Sequence, residues 1–190
     1  MRWLVFGIIA FMLLVLDTSF VTVMQVRNVA PMLSIVLLVY VCLFASRLSA
    51  LTACLTLGLA MDLATPPLSM QGEGTLTLIG PHAIGFLFAG YLILQVRTMV
   101  FRQRVITISV LTFVATLAAA VVMTAIYVVR SWYGDGVNYP TQPSAMWSFL
   151  RWGGVAIYSA LIALPLGWML LSTTPIWHFS AGHAHRTNWR

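Results

Sequence analysis

Asp62 sits near the end of the run Gly58-Leu59-Ala60-Met61-Asp62-Leu63, four residues after Gly58. On a helix, that spacing puts a patch without a side chain and a carboxylate on one face. Such a pair offers close helix contact beside an acid that can accept hydrogen bonds or form an ion pair. Asp62 therefore reads either as a contact that sets helix packing or partner docking, or as a helix-end residue meeting interfacial water. Asp17, inside the first apolar run, is a second carboxylate. A proton relay or substrate contact is the functional reading of an acid at that depth, and a carboxylate reaching the outer surface, or one bonded to a neighbouring helix, is the structural one. His82 follows Gly80-Pro81, where proline removes a backbone donor and loosens a helix. Its ring either titrates or binds a ligand, or it satisfies local polar groups.

Other chemistry is thinly represented. The sequence contains no His-Glu-x-x-His, no Gly-x-Ser-x-Gly and no phosphate loop. Gly134-Asp135-Gly136 reads as a turn, and no second aspartate in a matching context makes a carboxylate dyad. His178, His183 and His185, with Arg186, lack a nearby carboxylate or cysteine and read as a solvated basic end, so no metal is expected. Cys42 and Cys54 flank the turn near Leu48 by six residues each (48 − 42 and 54 − 48). They fall at similar depth in a hairpin and read as buried free thiols. No cofactor and no catalytic residue is expected.

The elements that position these residues are membrane helices. The 190 residues are 61% hydrophobic and 7% charged, and lysine is absent. Mean hydropathy is +0.95. Long apolar runs between short polar breaks indicate a polytopic all-α membrane protein. A soluble core is excluded, because too little polar sequence remains to cover one. The net charge of +6 comes from arginines at helix ends, where they meet anionic lipid head groups, and nucleic-acid binding is not expected. After Arg2, the apolar run Trp3–Leu16 leads into Asp17-Thr18-Ser19 without a small-x-small cleavage site, so it reads as a retained first span.

About six spans are expected: Trp3–Met24, Pro31–Ala45, Leu48–Leu63, Leu76–Val96, Val105–Val129 and Trp147–Leu171. They make one domain over residues 1–175, followed by a short basic tail over 176–190. Roughly 20 helical residues cross a ~30 Å hydrocarbon layer. The second and third spans are short, and a hairpin that dips in without crossing is an alternative for them. Pro31 suits a first helical position. Arg47-Leu48-Ser49 reads as a tight turn, and Thr65-Pro66-Pro67 with Gln71-Gly72-Glu73-Gly74 as a break.

Arginine distribution sets the orientation. Arg2, Arg47, Arg97, Arg102, Arg104, Arg186 and Arg190 fall on one side, and Arg27, Arg130 and Arg151 on the other, which puts both termini in the cytoplasm. Asp17, Asp62, Glu73 and Asp135 then share the outer side with the three outer arginines. Unpaired charges at that depth cost several kcal/mol, so Arg27, Arg130 or Arg151 are the expected partners of Asp17 and Asp62. Two ridges of small residues, Ser159-Ala163-Gly167 and Thr116-Ala120-Thr124, allow close helix approach, either inside the bundle or to an external partner helix. Pro165 inside the first ridge is expected to kink its span.

These features, in order, resemble the MreD family of bacterial rod-shape-determining membrane proteins. Ala30-Pro31-Met32-Leu33-Ser34-Ile35-Val36-Leu37-Leu38-Val39-Tyr40 is similar to that family's proline-led, leucine-rich second span. Gly58-Leu59-Ala60-Met61-Asp62-Leu63 is similar to its Gly-Leu-x-x-Asp-Leu signature, which a loop glycine follows; Gly72 or Gly74 takes that place. The arginine cluster after the fourth span and the basic tail also fit. The loop after Asp62 departs from the pattern, being stretched by Pro66-Pro67.

The resemblance implies a fold similar to the six-helix substrate-binding components of energy-coupling-factor transporters. It implies a non-enzymatic adaptor of the cell-elongation machinery in the bacterial inner membrane. The implied partners are an MreC-like protein and, through it, the wall-synthesis transpeptidase, the RodA polymerase and the MreB system. A small-solute carrier or transporter subunit is the alternative, resting on Asp17, Glu73 and His82 facing one side.

Overall fold

A computed structural model describes residues 2–19, 23, 25, 29–65, 68–69, 75–76, 78–100, 104–132 and 145–177. Its helices are α1 (Trp3–Ser19), α2 (Leu33–Phe44), α3 (Arg47–Ala64), α4 (Pro81–Val96), α5 (Val105–Ser131), α6 (Ala145–Ser172) and the single turn α7 (Thr174–Trp177). The described residues are helical apart from short breaks and one two-residue antiparallel ladder, β1 (Leu68–Ser69) with β2 (Thr75–Leu76).

Three helical stretches are long and apolar enough to cross a membrane: Arg47–Ala64, Val105–Arg130 and Leu150–Ser172. Trp3–Ser19, Leu33–Phe44 and Pro81–Val96 are shorter apolar helices. The outward faces are as apolar as the inward ones. Leu4, Phe11, Leu48, Ile106 and Trp168 are each more than two-thirds exposed. A helix that is hydrophobic all round is at home in lipid, whereas a soluble bundle would present charge on those faces.

Helix α2 occupies the middle of the bundle. Eleven of its 12 residues, Leu33 through Leu43, are buried, and it packs against α1, α3, α4, α5 and α6. Consecutive helices from α3 to α6 pack against one another around it. At 1.5 Å per residue α2 is about 18 Å long, well short of a ~30 Å hydrocarbon layer. Irregular backbone at its two ends is tolerated at such depth only where protein surrounds it and supplies hydrogen bonds. At both ends of α2 side chains supply such bonds, from Asp17 at the start and Arg97 at the end.

Two boundaries differ from those expected. The turn between the second and third spans lies at Ala45–Ser46, not at Arg47–Ser49. Ser46 is the N-cap of α3, and its hydroxyl accepts from the Ser49 backbone N–H at 3.4 Å. Serine there supplies the acceptor that the first helical turn lacks, so Arg47 already belongs to the helix. The fourth helix begins at Pro81 rather than Leu76. Gly80 takes φ +132°, a left-handed region that favours glycine, and Pro81 follows at the first helical position. Proline therefore starts this helix instead of loosening it, and Leu76 pairs with Leu68 in the ladder.

Both ridges of small residues face inward. Ser159 and Ala163 are fully buried, and a Cβ on Gly167 would meet Ile108 of α5 at 3.4 Å. Thr116 and Ala120 are buried too, and the Thr116 hydroxyl donates to the Thr112 carbonyl at 2.7 Å. Pro165 lies within an unbroken α6.

Candidate functional site

Asp62 lies two residues before the C-terminal end of α3 and is 2% exposed. Three backbone N–H groups at the start of α4 donate to its carboxylate: Gly80 at 2.8 Å and Ala83 at 3.2 Å to Oδ2, and His82 at 3.0 Å to Oδ1. The Nδ1 atom of His82 lies 2.8 Å from Oδ1. Pro81, the one residue of that turn without an N–H, needs no acceptor. The first N–H groups of a helix have no partner inside it, and the aligned peptide dipoles place about half a positive charge there. A carboxylate meets both needs, and its charge strengthens each bond. The His82 ring stands edge-on to Phe86, one turn along, which fixes its plane.

Gly58 makes this approach geometrically feasible. A Cβ at that position would stand 2.5 Å from the Ala83 Cα and 2.7 Å from the His82 carbonyl oxygen. Both are backbone atoms that no rotamer change can move. Gly58 and Asp62 thus act on the same turn of α4. The glycine lets the backbone come close, and the aspartate one turn on receives its N–H groups.

Asp17 repeats the arrangement one hairpin earlier. It lies two residues before the end of α1 and is 6% exposed. Its Oδ1 accepts from the Leu33 N–H at 2.7 Å, and its Oδ2 accepts from the Ser34 N–H at 2.9 Å and the Ser34 hydroxyl at 2.6 Å. The preceding Met32 N–H donates to the Ser159 hydroxyl of α6 at 2.9 Å. Pro31, again without an N–H, precedes this set. Each aspartate therefore caps the helix that follows its own, just after a proline.

The opposite end of α2 has a cation. Arg97, after α4, donates from Nη1 to the Ala45 carbonyl at 2.8 Å and the Cys42 carbonyl at 3.3 Å. A carboxylate at the N-terminus and a guanidinium at the C-terminus complement both ends of the α2 dipole. Near that end, Tyr40 and Trp177 are buried and pack edge to face, with centroids 5.3 Å apart. The Tyr40 hydroxyl lies 3.0 Å from the Thr174 hydroxyl. Among the described residues, every buried side-chain nitrogen and oxygen has a hydrogen-bond partner.

Among the described residues, helix N-termini hold both Asp17 and Asp62, and Arg27, one of the expected arginine partners, lies outside them. Backbone N–H groups are neutral donors already present in the chain, so pairing with them adds no desolvation of a further formal charge. Gly58, Asp62 and His82 come together, as do Asp17, Pro31 and Ser159, in two separate caps. Ala163 and Gly167 belong to the α5–α6 contact. Gly72, Glu73, Asp135, Arg27 and the tail histidines lie outside the described residues. The sequence reading missed Ser34 and the role of Arg97. A signal for the caps was present: each aspartate near a helix end is followed in the sequence by a proline near the start of a later helix. Pro81 is at the first position of α4, and Pro31 lies just before Met32, the N-cap of α2, rather than at the first helical position expected of it.

Asp17→Ala removes the only acceptor described for three donors at the start of α2. The expected loss is about 2 kcal/mol of folded-state stability, a full cap plus the desolvation of stranded N–H groups. Unfolding by sodium dodecyl sulfate in mixed micelles reads this, and an unshifted midpoint would contradict the cap. Arg97→Met keeps an unbranched stem but frees two carbonyls. About 1–2 kcal/mol is expected, less than for the carboxylates because Arg97 is only half-buried and water can replace it.

No protein-family model, no curated protein and no solved structure matches the chain.

Proposed function

We propose that this protein is a non-enzymatic adaptor of the MreD type, spanning the bacterial inner membrane six times with both termini in the cytoplasm. In this reading it binds a single-span MreC-like partner. Through that partner it joins the transpeptidase, the RodA polymerase and the MreB system that build the lateral cell wall. The sequence resemblance at Gly58–Leu63 and Ala30–Tyr40 supplies the family.

One structural observation carries the choice of adaptor over carrier. A carrier needs a central hollow into which polar groups reach. Here α2 fills the axis of the bundle with eleven buried residues, and Asp17 and Asp62 spend their acceptors on helix starts. The functional surface is then the outside of the bundle. The short helices fit the six-span reading if α2 is sheathed by its neighbours and α1 and α4 gain length from flanking residues.

The test is recovery of the tagged chain, solubilised in mild detergent from a rod-shaped bacterium expressing it. An MreC-like protein is expected in stoichiometric yield. Recovery of the intact chain with a bound small solute and no such protein would favour the carrier.

A further inference from the structure

Three helices meet around a pair of sulfurs. Cys42, in the last turn of α2, and Cys54, in α3, place their Sγ atoms 3.5 Å apart, and both residues are buried. Both are free thiols. On the third side is Gly90 of α4, where an added Cβ would overlap Cys54 Sγ and stand 3.4 Å from Cys42 Sγ. The space beside the thiols therefore depends on the absence of a side chain at 90. The short Ala45–Ser46 turn joins α2 to α3 and sets the two sulfurs side by side.

A disulfide bond is about 2.05 Å long, so the sulfurs need to close by about 1.5 Å, within reach of small side-chain rotations. We propose that Cys42 and Cys54 form an oxidation site that closes to a disulfide, taking a small, lipid-permeant two-electron acceptor of the quinone kind. Two S–H bonds break and one S–S bond forms. The acceptor leaves as its reduced form, carrying both protons and both electrons. Burial of both sulfurs among apolar side chains excludes charged thiol reagents, whereas an uncharged acceptor dissolved in the bilayer partitions into the same apolar surroundings. The product staples α2 to α3 beside the carbonyls held by Arg97. This site is independent of the adaptor reading.

The experiment uses the full chain in lipid vesicles with either duroquinone or oxidised glutathione, followed by denaturation and alkylation with a maleimide polymer. Untreated and glutathione-treated protein should take up two polymers. Quinone-treated protein should take up none, lose two hydrogens by intact mass, and yield a Cys42–Cys54 peptide from a single chain. Cys54→Ser protein should keep its one reactive thiol after the same treatment. Two alkylatable thiols after quinone, a quinone adduct in place of the lost hydrogens, or closure by oxidised glutathione would each overturn the proposal.

Discussion

Asp62→Leu is expected to lower folded-state stability by about 2–5 kcal/mol while leaving the protein inserted. Insertion should be unaffected, since leucine favours the bilayer interior where aspartate opposes it. The folded bundle loses far more. Three N–H groups at Gly80, His82 and Ala83 and the Nδ1 of His82 lose their acceptor together. Interhelical hydrogen bonds inside membranes average about 0.6 kcal/mol, so four such bonds set a floor of about 2.4 kcal/mol. Bonds to a charged acceptor are roughly twice as strong, which sets the upper figure. Asp62→Asn should fall between leucine and wild type, because an amide offers one acceptor oxygen and turns its own donors toward other donors. The unfolding midpoint in mixed micelles is the readout, with membrane fractionation as the check on insertion. Partner recovery should fall with stability, because the start of α4 loses its anchor. A leucine variant as stable as wild type would remove Asp62 from the structural role assigned here.

Gly58→Ala should have an effect of similar kind through a different cause. The new methyl would lie 2.5 Å from the Ala83 Cα, whereas carbon atoms rest at about 3.5–4.0 Å. Relief requires α4 to retreat by about 1 Å, and the bonds to Asp62, now 2.8–3.2 Å, would then pass beyond useful range. Overpacking of this kind costs about 1–3 kcal/mol, and the weakened cap adds to it. The two substitutions act on one contact, so their costs should not add. On an Asp62→Leu background, Gly58→Ala should cost clearly less than it does alone. Four midpoints, for wild type, both single variants and the double variant, decide this. Strict additivity would mean that glycine and aspartate serve unrelated contacts.

Much of this was legible in the sequence because it depends on periodicity. Apolar runs located the helices, and i, i+4 spacing put Gly58 with Asp62 and lined up Ser159, Ala163 and Gly167. The rest depends on groups that residue types do not display. A helix N-terminus carries its positive end in backbone N–H groups, so charge counting looked to arginines and overlooked these donors. The contact between Arg97 and the α2 carbonyls joins residues more than 50 positions apart, and no local pattern announces it. The start of α4 was misplaced because Leu76 and Leu78 are apolar in a strand pair or in a helix alike, and only the Gly80-Pro81 step marks the change. The central, sheathed position of α2 was not read from the sequence. Shortness and apolarity suggested only a short span or a hairpin that dips in without crossing, and burial on all sides shows itself only in the packing.

The most direct test of the adaptor reading is photo-crosslinking in living membranes from outward-facing positions such as Phe11, Ile84, Leu161 and Trp168, all exposed on the bundle surface. A photoreactive residue placed at each in turn should capture an MreC-like single-span protein from neighbouring positions on one face and only lipid elsewhere. Lipid adducts alone at every position of the outer surface, in cells that elongate normally, would contradict it.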